Sequence, residues 1–139
     1  MTPLPVEGTL FAETYRSDTS TAGVGLFRDD PPSRSLFHRL TFDEVWHFYA
    51  GDPLRLVLLH PDGSDTEVML DGGRAQFVVP AGTWQAGELV PGGAWSFYGV
   101  TVAPPFTFEG FEGGMVADLL GSHPQRAGDI ERLGVRQQS

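Results

Sequence analysis

His38-Arg-Leu-Thr-Phe-Asp-Glu-Val-Trp-His-Phe-Tyr-Ala-Gly51 sets an imidazole and a carboxylate into two extended runs joined by a polar turn. Side chains alternate along a strand, so Leu36, His38 and Leu40 fall on one face of the first run. Thr41, Phe42 and Asp43 make the turn. In the second run Glu44, Trp46 and Phe48 share one face and Val45, His47 and Tyr49 the other, and Gly51-Asp52-Pro53 ends it with turn chemistry. His38 and Glu44 are thereby expected to converge on one cavity.

Outward from this pair the chain keeps the same rhythm. Glu7 to Ser17 reads as a first strand, with Phe11, Glu13 and Tyr15 alternating against Ala12, Thr14 and Arg16. Its polar residues on both faces fit an edge strand with a wet side or a strand lining a polar pocket. Gly23 to Phe27 is a short apolar strand and Arg28 to Ser35 a loop. Downstream, Leu54 to His60 is almost continuously apolar, broken by Arg55 alone, as in a buried strand. Thr66 to Leu70 and Ala75 to Val79 flank Asp71-Gly72-Gly73 like the arms of a hairpin. Pro80-Ala81-Gly82 breaks the strand, Thr83-Trp84-Gln85 restarts it, and Pro91-Gly92-Gly93 turns the chain into Ala94 to Ala103. Roughly eight or nine strands spaced by turn signals predict an all-β sandwich or barrel. The tail differs: Met115, Val116, Leu119 and Leu120, then Ile130 and Leu133 beyond Pro124, fall at helical spacing. Two short helices are expected to cover an edge or an end of the barrel.

Composition narrows the function. The 139 residues suit a single domain, 1–139. With 18 acidic against 9 basic residues the formal charge is -9, a field that repels nucleic acid and anionic membranes, although a local Arg can still hold an anionic substrate. Absence of cysteine excludes disulfides, thiolate metal sites and a Cys nucleophile. The N-terminus has no basic region followed by an apolar run, and no window approaches the roughly 18 apolar residues of a membrane span, so a cytoplasmic protein is expected. No Gly-x-Ser-x-Gly elbow and no phosphate-binding glycine spacing occurs.

The central stretch resembles the first cupin motif, a Gly, a His-x-His pair, a Glu and a final Gly. Counted back from Gly51, Glu44 stands at the Glu position and His38 at the first His, while Leu40 occupies the second. Pro80-x-Gly82-x-x-Gln85 is similar to the second motif, with Gln85 in place of the third histidine. Longer runs, Glu13 to Ser17, Phe37 to Arg39, Asp43 to Leu54, Val79 to Gln85 and Thr101 to Phe106, resemble one uncharacterised cupin branch, similar in fold to the dTDP-sugar epimerases and germins. The resemblance implies a double-stranded β-helix, or jelly-roll, barrel over about 7–112, a helical segment over about 113–133, and a homodimer. Relatives begin with a His-Pro-Glu-Gly-Gly run, whereas this chain has Pro5-Val6-Glu7-Gly8-Thr9 and no histidine there.

Several chemistries remain open for these residues. His38, Glu44 and Gln85 are candidate ligands of a divalent Zn, Fe, Mn or Ni ion, although an amide oxygen is a poorer donor than the missing imidazoles. The same three also read as a metal-free hydrogen-bonding cluster, Gln85 orienting a substrate group or water. His38 and Glu44 suit proton transfer next to a carbonyl, with Tyr98 or Tyr15 as phenolic acid and Trp46, Phe48 and Trp84 as walls. Arg16 and Arg39 offer a bidentate fork to an anion, or form surface ion pairs. His47 is assigned to an intersheet or subunit contact, and His60 and His123 to the surface. Two functions follow: an isomerase, epimerase or lyase acting on a sugar-like or carbonyl compound, or a non-catalytic metabolite-binding module. The expected partner is a small molecule, polar or anionic.

Overall fold

The computed structural model describes residues 1–136. Eleven strands, two of them very short, build two antiparallel sheets. In chain order they are β1 (Thr2–Pro3), β2 (Leu10–Arg16), β3 (Thr21–Arg28), β4 (Arg34–Leu40), β5 (Glu44–Gly51), β6 (Leu54–Leu59), β7 (Asp65–Leu70), β8 (Gln76–Val79), β9 (Trp84–Leu89), β10 (Trp95–Val102) and β11 (Phe111–Gly113). Six form a sheet in the order β1-β2-β3-β10-β5-β8, five a second in the order β11-β4-β9-β6-β7. Helices α1 (Val116–Ser122) and α2 (Ala127–Leu133) follow. This is the jelly-roll barrel that the alternation and the motifs predict. Among the described residues no helix is long and apolar enough to cross a membrane.

The core explains the one run that does not alternate. Leu54, Leu56 and Leu58 point between the sheets, where they pack with Phe27, Trp46, Val68, Leu70, Val79 and Tyr98. Val57 and Leu59 point the other way and meet Phe37, Ala86, Leu119, Ile130 and Leu133. β6 is therefore apolar on both faces because both are covered, and each fully buried aliphatic chain contributes about 2 kcal/mol. The helices thus lie over the outer face of the five-stranded sheet, not over an edge or an end as expected. Arg55, the single polar break in β6, shares that outer face and reaches Asp129 of α2.

Two other expectations change. The predicted hairpin over Thr66–Val79 does not form: β7 pairs with β6 and β8 with β5. The tight turn is real, since Asp71 and Arg74 bond each other's backbones and the Asp71 carboxylate accepts from Gly73 N and Arg74 N. It carries the chain from one sheet to the other, because β5 and β6 each offer an edge where Val68, Leu70 and Val79 are buried. His123 is not a surface residue: it is 3% exposed, with Nε2 at 2.8 Å from the His60 carbonyl and Nδ1 at 2.8 Å from Ser122 Oγ. His123 lies where α1 ends, and docking of the helices on the sheet brings its ring against the His60 backbone and covers it. β1 covers only the start of β2, pairing at Thr2↔Phe11 and Pro3↔Leu10, and leaves 12–16 as the sheet edge.

Candidate functional site

Two irregularities in strand pairing decide which side chains enter the barrel. Between Ser35↔Gly87 and His38↔Gln85, two residues of β4, Leu36 and Phe37, stand against Ala86 alone. A bulge of this kind reverses the alternation beyond it and leaves backbone groups outside the ladder. Ser35 and His38 consequently both face the cavity, Phe37 turns outward beneath the helices, and Leu36 leaves the face it was expected to share with His38. The loose backbone of Leu36 then organises the site. Its N–H donates to the Glu7 carboxylate, and its carbonyl accepts from His38 Nδ1 at 2.9 Å. Because a carbonyl only accepts, Nδ1 carries the proton and Nε2 is the nitrogen left for chemistry.

The second bulge lies in β2, where Glu13 pairs with Gly23 and Tyr15 with Ala22, leaving Thr14 over. Phe11, Glu13 and Arg16 therefore line the cavity, and Tyr15 is 56% exposed outside it. Strict alternation expects the reverse for the last two. Gly23 makes room for this arrangement, since a Cβ there would stand 2.5 Å from the Phe11 ring.

The resulting cavity has a volume of ≈ 580 Å³. Trp46, Tyr98, Val100 and Val102 come from the six-stranded sheet, Ser35, His38 and Phe111 from the other, and Phe106 and Phe108 from the segment that joins β10 to β11. Phe111 stacks on the His38 ring at 5.3 Å between centroids, and Phe106 meets Phe108 edge-on at 5.3 Å. Glu44 Oε1 lies 3.8 Å from His38 Nε2, the two side chains only 10% and 13% exposed. That separation is charge contact without a hydrogen bond, and Oε1 is a buried oxygen with no hydrogen-bond partner among the described residues. An unsatisfied buried acceptor costs on the order of 1–3 kcal/mol, so the protein holds this carboxylate at the expense of stability.

Burial opposes the charged form of His38, but the Glu44 carboxylate, the Leu36 carbonyl and Glu7 outweigh it and raise its pKa above the usual imidazole value. Burial also raises the Glu7 carboxyl, against the Leu36 N–H and His38. Tyr98 is pushed well above a normal phenol, first by burial and then by Glu7 and Glu44, so it keeps its proton and acts only as a donor or a neutral acceptor. Glu7 sits in a loop held by Leu4 N to Thr9 O and Gly8 N to Leu4 O bonds, with Val6 at φ 67° and Gly8 at φ 72°. A β-branched residue in the left-handed region is strained, and here the strain presents the neighbouring carboxylate to the site.

Of the residues expected in the pocket, His38, Glu44, Trp46, Tyr98 and Arg16 line the cavity, and Tyr15, Phe48, Trp84 and Gln85 do not. Phe48 packs against the inner core. Trp84 faces the helices and lies under the Arg39 guanidinium, 4.4 Å away, while Arg39 also bonds Glu112. Gln85 is buried with its amide oxygen accepting from the Trp46 indole at 2.6 Å, so it holds the wall in place behind the cavity. His47 lies on the other side of β5, with Nε2 at 3.0 Å from Thr101 Oγ1 and Nδ1 at 3.2 Å from Gln76 Nε2. Glu7, Phe108 and Phe111 line the site although neither alternation nor the motifs single them out. For Glu7 the available signal was its place just ahead of Gly8, at the head of the first predicted strand.

The donor set does not suit a transition metal. Among the described residues no three His, Cys, Asp or Glu side chains gather closely enough to hold an ion. The third expected ligand, Gln85, has its oxygen engaged by Trp46. His38 Nε2 and Glu44 Oε1 alone fall short of the three or four protein ligands such ions take.

Two antiparallel sheets closed into a jelly-roll barrel, with His38 and Glu44 lining its cavity, give the cupin fold. The chain belongs to the Cupin superfamily family DUF985, whose model matches residues 1–113 and so stops ahead of the two helices. It is similar to protein SO0799 from Shewanella oneidensis, with 32% identity over 95% of this chain and 90% of that one and a TM-score of 0.84. A hypothetical protein from Leishmania major is 25% identical, covers 96% and 92% of the two chains and superposes with a TM-score of 0.84. KdgF from Halomonas sp., at 14% identity over 76% and 88% of the two chains and a TM-score of 0.58, shares the fold alone. No curated protein matches the chain.

Proposed function

We propose that the protein is an acid–base enzyme of isomerase, epimerase or lyase type acting on a small carbonyl compound. The observation that carries this reading is the His38–Glu44 pair: Nδ1 is fixed by the Leu36 carbonyl, and Nε2 faces the cavity 3.8 Å from a carboxylate oxygen that has no other partner. His38 Nε2 is the base that takes the proton next to the carbonyl. Glu44 raises its basicity and stabilises the imidazolium that forms, and Tyr98 supplies a phenolic donor for the oxygen on which charge develops. The aromatic walls exclude water and hold the apolar part of the substrate.

Proton abstraction can be followed before the product is known. Incubation with a panel of small aldehydes, ketones and ketoses in deuterated water, followed by NMR, reads exchange of the proton adjacent to the carbonyl. At least one compound is expected to exchange, through a step lost in His38→Ala and Glu44→Gln. Compounds that bind without exchanging would make the cavity a metabolite-binding site and end the enzymatic reading.

A further inference from the structure

We infer that the ligand of this cavity is an organic cation, an ammonium group on a small apolar frame that hydrogen-bonds to Glu44. The inference rests on the reading of the cavity as a substrate site and names the class of molecule it takes. Three carboxylates line the cavity, those of Glu7, Glu13 and Glu44, against one guanidinium and His38. Arg16, the cation expected to clamp an anion, is already engaged. Its Nε and Nη2 donate to the two oxygens of Glu13 at 2.8 and 2.9 Å, and Nη2 also donates to the Phe106 carbonyl at 3.1 Å. An incoming carboxylate or phosphate would have to share Arg16 with Glu13 and lie near that acid and two others.

The carboxylates differ in what they lack. Glu13 has Arg16, and Glu7 has the Leu36 N–H. Glu44 keeps a buried oxygen with no hydrogen-bond donor, in a side chain nine-tenths buried and lining the cavity. A primary ammonium supplies that donor together with a full positive charge, in a charge-assisted bond. A hydroxyl supplies only the donor, and a carboxylate neither. The walls fit the same choice, since the faces of Trp46, Phe106 and Phe111 are electron-rich and attract a cation as well as an apolar skeleton.

Cyclohexylammonium, cyclohexanol and cyclohexanecarboxylate share one frame and differ in charge. Calorimetric titration at neutral pH is expected to place the ammonium at least about tenfold tighter than the alcohol, with the carboxylate weakest. In Glu44→Gln the ammonium should fall to within about threefold of the alcohol, whose own affinity reports that the pocket is still formed. Arg16→Met, which leaves Glu13 unopposed at the opening, should tighten the ammonium about threefold. A carboxylate that binds best, an ammonium preference that survives Glu44→Gln, or no binding of any of the three up to about 10 mM would overturn the inference. The deuterium-exchange experiment separates the two readings. Exchange in a pocket that prefers the carboxylate removes the cation and keeps the enzyme, and ammonium binding without exchange of any amino-substituted carbonyl compound does the opposite.

Discussion

Two groups of charged side chains, one on the outer face of the five-stranded sheet and one in the cavity between the sheets, are built on opposite principles. On the outer face, Arg55 bonds Glu67, Glu88 and Asp129, Arg132 bonds Glu88 and Asp129, and Arg126 bonds Asp65 and Asp129. Each of these carboxylates meets at least one guanidinium, and the network ties α2 to the sheet. In the cavity, Glu44 of the six-stranded sheet faces His38 of the five-stranded one across 3.8 Å, with one oxygen unpartnered among the described residues. Similar residue types serve a scaffold where every charge is matched and a ligand site where one is left over. Partly buried charges without full partners cost stability, so their persistence in one place points to binding and chemistry there.

The widest separation between the two groups is expected in turnover. His38→Ala and Glu44→Gln should each lower the rate of deuterium exchange about a thousandfold, or about 4 kcal/mol, whereas Arg55→Met should leave the rate per folded molecule unchanged. Equal losses in all three variants would erase the distinction.

Stability should run the other way. Arg55→Met removes charge-assisted bonds to Glu67, Glu88 and Asp129 from a largely buried guanidinium, leaving Glu88 with Arg132 and Asp129 with Arg126 and Arg132, and is expected to cost about 3 kcal/mol in urea unfolding. Glu44→Gln removes a half-matched charge and should change stability by no more than about 1 kcal/mol, in either direction. A Glu44→Gln protein as unstable as Arg55→Met would make the inner pair structural after all. Gln85→Leu falls between them, because it leaves the Trp46 indole N–H buried without an acceptor, at about 2 kcal/mol. If that variant instead abolishes binding with stability intact, Gln85 belongs to the ligand site.

The smallest effects are those of pH, and their signs are opposed. Asp129 and Glu88 are partly buried, which raises a carboxyl pKa, but the surrounding guanidinia more than reverse this and hold both below the ordinary range. Their contribution is present above the unfolded carboxylate values and is lost as pH falls through the lowered folded ones. His38 and Glu7 are raised, so theirs is complete below the unfolded values and lost as pH rises through the folded ones. The melting temperature of Glu44→Gln should therefore lose part of the alkaline decline and keep the acid one, and that of Arg55→Met should do the reverse. By NMR titration the His38 pKa should fall in Glu44→Gln, and by less in Glu7→Gln, following the order of their influence on the ring. An unmoved His38 in Glu44→Gln would show that the two groups do not sense each other.

Alternation, turn chemistry and motif spacing are local properties, and what they govern was legible. They placed the barrel strands near their observed limits, put His38 and Glu44 in one cavity, and marked β6 as a buried strand. A bulge is a relation between two strands, and no single run carries its signal. Thr14 and the Leu36–Phe37 pair look like ordinary strand residues, yet each shifts the register by one and exchanges the faces beyond it. Arg16 enters the cavity and Tyr15 leaves it for that reason. Leu36, expected beside His38, instead gives its backbone to Glu7 and His38.

The same division runs through the rest of the molecule. The turn at Asp71–Arg74 follows from its residues, but which sheet β8 joins depends on the edge that β5 leaves open. Helical spacing in the tail follows from its Leu and Ile residues, while the face it covers depends on Phe37, Val57 and Leu59 pointing outward. Gln85 sits where a metal ligand is expected, and the Trp46 indole, 39 residues away in the chain, makes it part of the wall. Local sequence determined the elements and the kinds of residue available, because each strand's period and each turn's geometry are short-range. Pairing register and burial against distant strands decided which of those residues meet, because partner choice is a property of the whole fold.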